Sequence, residues 1–366
     1  MKKVLFLTNY PSPYRVRFFD ELGKRMDVTV LFADRIEEKK HRSAAWYVPG
    51  EGHFRSVQLT KRIFSVGTNS LCRDVLDWVK GDYDHIVVCG YSNPTLILAM
   101  TWMRLHKRPF YMEVDGGLIR QEGKAKYQFK KSLVTLADRW LSTGRSITEY
   151  LVHYGADRDR VEEYPFSSLE KADILQEIVT QEDKTALKRE LGIQEDRMLL
   201  TIGQFIPRKG FDILLNAAKA LPKDTAICIV GGEPTESYIT LREELGLSQV
   251  YFQGFKKKDE LSKYYRAADL FVLPTREDIW GLVINEAMAY GLPVITTDRC
   301  GAGLELVEDG VNGYIVPVED VDALTEKTLA LLSSDLEKMG TASLEKIRPY
   351  TIENMAKIHA EIFERG

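Results

Sequence analysis

The sequence predicts an α/β protein built from two doubly wound, Rossmann-like domains. Short apolar runs alternate with helical patterns along most of the chain, which is typical of open α/β sheets. The runs are continuously apolar, as expected for strands buried on both faces of a parallel sheet. They form two series, separated by a charged, helix-prone segment at residues 168–196. A chain of 366 residues is also too long for one compact core.

The first series predicts one domain over residues 1–167. Polar residues, glycine or proline follow each of its apolar runs, as expected where a strand ends. The predicted strands are residues 4–8, 28–33, 85–90, 108–114 and 139–144, and helical patterns cover residues 15–26 and 70–81.

The second series predicts another domain over residues 197–349, joined to the first by the connection 168–196. Its strands are predicted at 198–203, 226–232, 250–254, 270–274, 293–297 and 313–317, with helices at 211–221, 259–269 and 323–334. Residues 350–366 form an amphipathic pattern, with apolar residues at helical spacing. We expect this last helix to pack back on the first domain.

Composition excludes several classes of protein. A formal net charge of −4 argues against a general nucleic-acid binder. The four cysteines are scattered and the six histidines form no cluster, so we expect a reducing compartment, no metal and no cofactor. The apolar run at residues 4–7 is too short for a signal peptide, and no run of about 18 apolar residues predicts a membrane span. We therefore expect a cytoplasmic protein.

Ligand-binding residues are expected in the loops that follow the strands. In doubly wound sheets ligands bind beyond the carboxyl ends of the strands, and two such sheets facing each other would form a cleft. After the strand at 198–203, Gly203 permits a tight turn, and Arg208 and Lys209 precede a helix, an arrangement that suits a phosphate. A solvated pair of basic residues is the alternative interpretation.

The next two strand ends carry weaker signals. Gly232 ends the segment predicted as a strand at 226–232 and would permit close approach of a ligand to the backbone. Phe255 and Lys256 follow the strand at 250–254, where a nucleotide base could stack. A glycine turn and a charged surface turn are the alternatives.

Two acidic residues flank the segment after the strand at 270–274. Asp278 lies in the loop before a helix, and Glu286 lies within that helix among apolar neighbours. A carboxylate in such surroundings is costly unless it is hydrogen-bonded, and vicinal hydroxyls would supply two donors. A helix N-cap for Asp278 and an internal salt bridge for Glu286 are the alternatives.

These segments together resemble a known family. DIWGLVINEAMAYGLPVI (278–295) looks like the E-x7-E signature of retaining glycosyltransferases of family 4, which have the GT-B fold and use nucleotide sugars. GQFIPRKG (203–210) is similar to the family's G-R-x-x-x-x-K-G segment. CGAGLELVEDGVNGYIVP (300–317) resembles its G-G-x-x-E-x-V-x-x-G-x-N-G-x-x-V segment. The three motifs occur in the family's order.

The resemblance implies roles for individual residues. Glu286 would hold the ribose hydroxyls, Asp278 would contact the donor sugar, and Lys209 would neutralise the diphosphate. Phe255 and Lys256 lie where the family holds the base. The donor sugar and phosphate would also face the backbone N–H groups around Gly281, Leu282 and Val283.

The implied activity is transfer of a sugar from a nucleotide diphosphate, UDP being the expected nucleotide, to a hydroxyl of a glycan or lipid-linked acceptor. The anomeric configuration would be retained, and the pathway would be bacterial cell-surface polysaccharide synthesis. A sugar-nucleotide epimerase on the same scaffold is the alternative.

The sequence departs from the family pattern at three places. The first acid of E-x7-E is Asp278, one methylene shorter than glutamate. The family's usual arginine is Gln204, so Arg208 would supply the missing charge. Asp115 stands where the family has a histidine before glycine. These departures bear on the identity of the donor more than on the class of reaction.

The first domain would hold the acceptor. Tyr14 and Arg15 follow the first strand and are expected to face the cleft. Asp115 and Gly116 follow the strand at 108–114, and Asp115 is the candidate to hydrogen-bond the acceptor hydroxyl. A turn-forming Asp-Gly is the alternative.

Residues 120–134 predict a basic helix with interleaved aromatic residues. Such a helix could contact an anionic membrane at its inner face. A solvated helix face is the alternative.

Overall fold

The computed structural model describes residues 1–34, 52–66 and 69–366. The chain divides into two compact units. Unit 1 comprises residues 1–170 together with 350–366, and unit 2 comprises residues 171–349.

Unit 1 contains a seven-stranded parallel sheet and a separate antiparallel hairpin. Its strands are β1 Lys3–Thr8, β2 Asp27–Phe32, β3 Phe54–Gln58, β4 Arg62–Val66, β5 Asn69–Cys72, β6 His85–Cys89, β7 Tyr111–Val114, β8 Arg139–Ser142 and β9 Val161–Glu163. The sheet has the order β3-β2-β1-β6-β7-β8-β9, and β4 pairs with β5 in the hairpin. The helices between them are α1 Pro13–Gly23, α2 Val75–Val79, α3 Pro94–Leu105, α4 Lys124–Val134 and α5 Arg145–His153.

Unit 2 contains a six-stranded parallel sheet. Its strands are β10 Arg197–Ile202, β11 Thr225–Val230, β12 Val250–Gln253, β13 Leu270–Leu273, β14 Val294–Thr297 and β15 Gly313–Val316, in the order β12-β11-β10-β13-β14-β15. Its helices are α6 Gln181–Glu190, α7 Phe211–Ala218, α8 Glu236–Glu244, α9 Lys258–Ala267, α10 Leu282–Ala289, α11 Gly301–Leu306, α12 Val321–Leu332 and α13 Leu336–Ile347.

The central strands owe their position to their continuous apolar sequence. Every residue of β6, β11 and β13 is buried, because helices cover both faces of each sheet. All eleven strands predicted from apolar runs are present, each within three residues of the expected limits.

One predicted helix is only partly correct. The pattern at residues 70–81 predicted a single helix, but Ser70–Cys72 belong to β5 and the helix α2 covers only Val75–Val79. The first part of the segment pairs with β4, whose Phe64 lies opposite Leu71. A tertiary partner thus overrides the local helical pattern.

The last helix, α14 (Ile352–Arg365), completes the core of unit 1. The ring of Phe363 lies 6.1 Å from that of Phe6 on β1, and the ring of His359 lies 4.7 Å from that of Phe18 on α1. The amphipathic pattern of the sequence therefore corresponds to a helix with a buried apolar face.

Across the described residues, none of the helices combines the length and apolar character needed to cross a bilayer.

Candidate functional site

The strand order of unit 2 determines where its functional loops meet. The chain adds β11 and β12 on one side of β10 and then returns to place β13 on the other side. This reversal between β10 and β13 is a topological switch point, where open α/β sheets bind ligands. The loops 203–210 and 274–281 follow these two strands and lie at the same edge of the sheet.

Glycine allows these two loops to pack closely. Gly210 has φ 68°, and a Cβ at this position would lie 2.0 Å from the carbonyl oxygen of Pro274. A Cβ at Gly203 would lie 3.2 Å from Cε of Lys209, so glycine leaves room for the lysine side chain. Gly210 is thus favoured by its left-handed backbone conformation and by the close carbonyl oxygen, whereas at Gly203 the reason is the space that Lys209 occupies.

The two loops bring together a carboxylate and two cations. Lys209 Nζ donates to Asp278 Oδ2 at 2.6 Å, and Arg208 Nη1 lies 3.6 Å from the same oxygen. Arg208 Nη1 also donates to the carbonyl oxygen of Glu277 at 2.7 Å. The carboxylate and the two basic groups together carry a net positive charge, which suits an anionic ligand.

The backbone around Asp278 is held from both sides. The backbone N–H of Asp278 donates to the carbonyl oxygen of Arg299 at 2.9 Å. The backbone carbonyl oxygen of Asp278 accepts from the N–H of Gly301 at 3.2 Å. Helix α10 begins at Leu282, directly after its left-handed N-cap Gly281, which has φ 96°. The first-turn N–H groups of Leu282 and Val283 therefore point towards the loop that carries Asp278.

Glu286 lies in the second turn of α10, partly buried. Tyr265 of α9 donates its hydroxyl to Glu286 Oε2 at 2.8 Å. Burial raises the pKa of Glu286, because desolvation disfavours its charged form. The sequence predicted a carboxylate that needs hydrogen-bond donors, but it did not predict Tyr265 as one of them.

The neighbouring strand ends extend the same edge of the sheet. Gly231 and Gly232, after β11, have φ values of 146° and 136°, and a Cβ at Gly231 would lie 2.2 Å from the carbonyl oxygen of Gly203. After β12, Phe255 is 78% exposed, and Lys256 Nζ lies 5.9 Å from the ring centre of Tyr264. Gln204 is exposed in the loop after β10.

In unit 1 the side chain of Arg15 takes part in a buried ion pair. Arg15 is only 4% exposed, and its Nη1 donates to both carboxylate oxygens of Glu113 at 2.9 and 2.8 Å. Its Nη2 donates to Asp115 Oδ2 at 3.3 Å. Arg15 therefore does not point to solvent, because it compensates Glu113 inside the unit. A role for it in acceptor binding stays a prediction.

Glu113 was missed by the sequence analysis, although a charged residue inside a buried strand was a visible signal. It also accepts a hydrogen bond from the hydroxyl of Tyr164 at 2.7 Å. Burial alone would raise the pKa of Glu113, but Arg15 and His359 hold it well below the ordinary range. The carboxylate is thus ionised and fully engaged.

The other candidate residues of unit 1 are more accessible. The side chain of Asp115 is 47% exposed, and Gly116 is partly buried. The ring of Tyr14 packs edge-on against Phe166 at 5.7 Å, and burial raises the pKa of Tyr14 to about 12. Asp115 is therefore the group of this set that a ligand can reach.

Over the described ranges 1–34, 52–66 and 69–366, no group of three or more histidine, cysteine, aspartate or glutamate side chains is arranged to hold a metal ion.

One family model matches most of unit 2. Residues 183–349 match the model of the family glycosyl transferases group 1. We call residues 183–349 the group 1 segment. It contains Lys209 and Asp278 in the two switch-point loops, and it also contains Glu286 of α10.

Curated relatives of the chain are also named glycosyltransferases. The chain is 29% identical over 255 residues to the D-inositol 3-phosphate glycosyltransferase of Kribbella flavida, covering 64% of this chain and 58% of that protein. A protein of the same name from Mycobacterium sp. is 31% identical over 59% of this chain and 49% of its own length. The chain thus spans less than two thirds of these relatives.

Solved structures match both units. HepE of Anabaena, solved in complex with UDP, has a TM-score of 0.78 at 18% identity, with all of both chains covered. Sucrose-phosphate synthase of Thermosynechococcus elongatus has a TM-score of 0.74 at 18% identity, covering 100% of this chain and 99% of that chain. These likenesses confirm the predicted fold class, GT-B with two Rossmann-like domains.

Proposed function

We propose that the protein is a retaining glycosyltransferase of the E-x7-E type, which moves a sugar from a UDP-sugar to a hydroxyl. The observation that carries the proposal is the pairing of Lys209 and Arg208 with Asp278 at the switch point of the group 1 segment. The complexes of the neighbour HepE with UDP and with UDP-glucose support the choice of nucleotide.

The leaving diphosphate gains negative charge as the glycosidic bond breaks. Lys209, with Arg208 beside it, would stabilise this charge, since preorganised cations act strongly in a site that excludes water. The first-turn N–H groups of α10 would assist at Gly281 and Leu282. In this proposal these groups balance the charge, and no metal ion or cofactor takes part.

Asp278 has two tasks in the proposal. Without donor it compensates Lys209 at 2.6 Å. When the diphosphate binds Lys209, the carboxylate of Asp278 becomes available to accept hydrogen bonds from hydroxyls of the donor sugar. Glu286 would accept from the ribose hydroxyls, and Phe255, Lys256 and the backbone at Gly232 would contact the base.

The acceptor would bind at unit 1. Asp115 is the accessible carboxylate there, and it would accept a hydrogen bond from the attacking hydroxyl. We propose a glycan or lipid-linked acceptor in bacterial cell-surface polysaccharide synthesis, on the cytoplasmic side of the membrane.

Helix α4 supports the choice of a membrane-borne acceptor. It carries exposed Lys124, Lys126 and Lys131, and its Phe129 is 59% exposed. Cations beside an exposed aromatic ring suit an anionic lipid surface. Flotation with vesicles containing phosphatidylglycerol should retain the protein, and Phe129→Ser should release it. Equal flotation of both proteins would remove α4 from the proposal.

Thermal melting with a panel of nucleotides tests the donor assignment. UDP and UDP-sugars should raise the melting temperature, whereas GDP, ADP and NAD should not. A ligand at about 100 times its Kd stabilises the native state by about 2.7 kcal/mol. Glu286→Ala should lose the shift, and the exposed Glu244→Ala should keep it as a matched control. Absence of a shift with every nucleotide would overturn the proposal.

A further inference from the structure

Glu286 occupies an unusual position for a carboxylate. Its neighbours on α10, Ile284, Ala287 and Met288, are fully buried apolar residues. Among the described residues, the hydroxyl of Tyr265 donates a hydrogen bond to its carboxylate. Two opposite charges act on it from nearby, Lys258 and Asp173, and these two pair with each other at 2.7 Å. The effects of Lys258 and Asp173 on the Glu286 carboxylate have opposite signs. The hydrogen bond from the Tyr265 hydroxyl is therefore the specific contact of this carboxylate.

Tyr265 is itself rigidly held. It is 2% exposed, and its ring stacks on that of Tyr290 at 5.0 Å with an interplanar angle of 6°. Its ring also lies 6.2 Å from that of Phe271 on β13. A hydroxyl on a ring fixed between two aromatic neighbours presents its proton in a defined direction, so it can fix the orientation of the acceptor carboxylate.

We propose that Tyr265 is a positioning residue for nucleotide binding, which orients Glu286 to receive the two ribose hydroxyls. This inference rests on the proposed function, because it requires Glu286 to be the ribose-binding group. An ionised carboxylate has about four acceptor positions. The hydroxyl of Tyr265 uses one of them, on Oε2, and the remaining positions suffice for two O–H donors.

The arrangement reduces the freedom that Glu286 would lose on binding. A glutamate side chain has several rotamers, and ordering it opposes association. With Oε2 already held by Tyr265, the carboxylate is ordered before the nucleotide arrives. Removal of the hydroxyl should therefore weaken binding through the ribose and leave the contacts to the base and phosphates intact.

The test compares Tyr265→Phe with the native protein, using UDP and 2′,3′-dideoxy-UDP as probes in titration calorimetry. The phenylalanine keeps the ring stacked on Tyr290 and loses only the hydroxyl. We expect UDP to bind about tenfold more weakly to the variant, equivalent to about 1.4 kcal/mol. Binding of dideoxy-UDP, which lacks both hydroxyls, should be the same in the two proteins.

Two controls make the outcomes distinct. Tyr290→Phe, the same substitution on the stacking partner, should leave UDP binding unchanged. Glu286→Ala should weaken UDP binding, and normal affinity in this variant would mean that the ribose assignment of the proposed function has failed. If Glu286→Ala weakens binding but Tyr265→Phe does not, the positioning role alone is overturned. Equal losses for UDP and dideoxy-UDP in Tyr265→Phe would also overturn it, since that result indicates a structural role.

Discussion

Replacement of Glu113 by glutamine tests the account of the buried charges in unit 1. Glu113 and Arg15 are 1% and 4% exposed, and the guanidinium contacts both carboxylate oxygens. In Glu113→Gln, Arg15 keeps its charge, loses its main compensating partner and meets an amide N–H₂ in place of one acceptor. Removing one partner from a buried ion pair costs about 3–5 kcal/mol.

The expected loss can be measured by urea denaturation and by thermal melting. In a domain of 150–250 residues each kcal/mol shifts the melting temperature by about 2–4 °C, so we expect unit 1 to melt about 6–20 °C lower. The matched control is Glu162→Gln on β9, which lies two strands from β7 in the same sheet. Glu162 pairs with Arg365 at 3.3 Å, and the side chains of Arg365 and Glu162 are 67% and 35% exposed. The loss of this surface pair should cost under about 1 kcal/mol.

The pH dependence adds an independent check. The folded-state pKa of Glu113 lies far below its ordinary value of 4.5, so its contribution to stability is complete above that pH. This contribution is lost as the pH falls towards the folded-state pKa. The difference between the native protein and Glu113→Gln should therefore narrow below about pH 4.5. Equal stabilities of Glu113→Gln and Glu162→Gln at pH 7 would refute the reasoning.

Three further predictions concern unit 2. Gly210→Ala should lower the melting temperature, at a cost of at least about 1 kcal/mol, because it combines φ 68° with a Cβ placed 2.0 Å from a carbonyl oxygen; an unchanged melting curve would contradict this. Lys209→Met should lower kcat about 10²–10³-fold, as expected for the loss of one group that stabilises developing charge, and kcat within threefold of the native value would exclude that role. Glu286→Gln should raise stability at pH 7–8, since burial raises the folded-state pKa of this carboxyl above 4.5. The gain should disappear below about pH 4.5, where Glu286 is protonated in both states, and a gain independent of pH would show that desolvation is not its cause.

The sequence predicted the strands whose environment is simple. Strands such as β6 and β11 are buried on both faces, so a continuous apolar run is sufficient to identify them. In contrast, β3 (Phe54–Gln58) reads FRSVQ and has exposed residues at the edge of its sheet. The hairpin strand β5 was mistaken for a helix, because its partner β4 determines its conformation.

In the candidate site, too, local sequence patterns predicted some features, and contacts between distant elements determined the others. The proximity of Lys209 to Asp278 could be predicted, because parallel strands place the loops that follow them at one edge of the sheet. The functional roles of Lys209, Asp278 and Glu286 stay predictions. The contact of Tyr265 with Glu286 joins α9 to α10, and the contact of Arg15 with Glu113 joins α1 to β7. Such pairings depend on side-chain directions in the folded state, which residue patterns along the chain do not specify.

The position of α14 has a consequence for the synthesis of the protein. The first 170 residues of unit 1 are synthesised before unit 2, but the final helix of unit 1 is synthesised after residue 349. At about 5–20 residues per second, roughly 180 residues of unit 2 delay the helix by about 10–40 s. During this interval Phe6 and Phe18 lack their contacts with Phe363 and His359. Until the last helix is synthesised, the apolar surface that it covers in the folded unit 1 therefore stays uncovered.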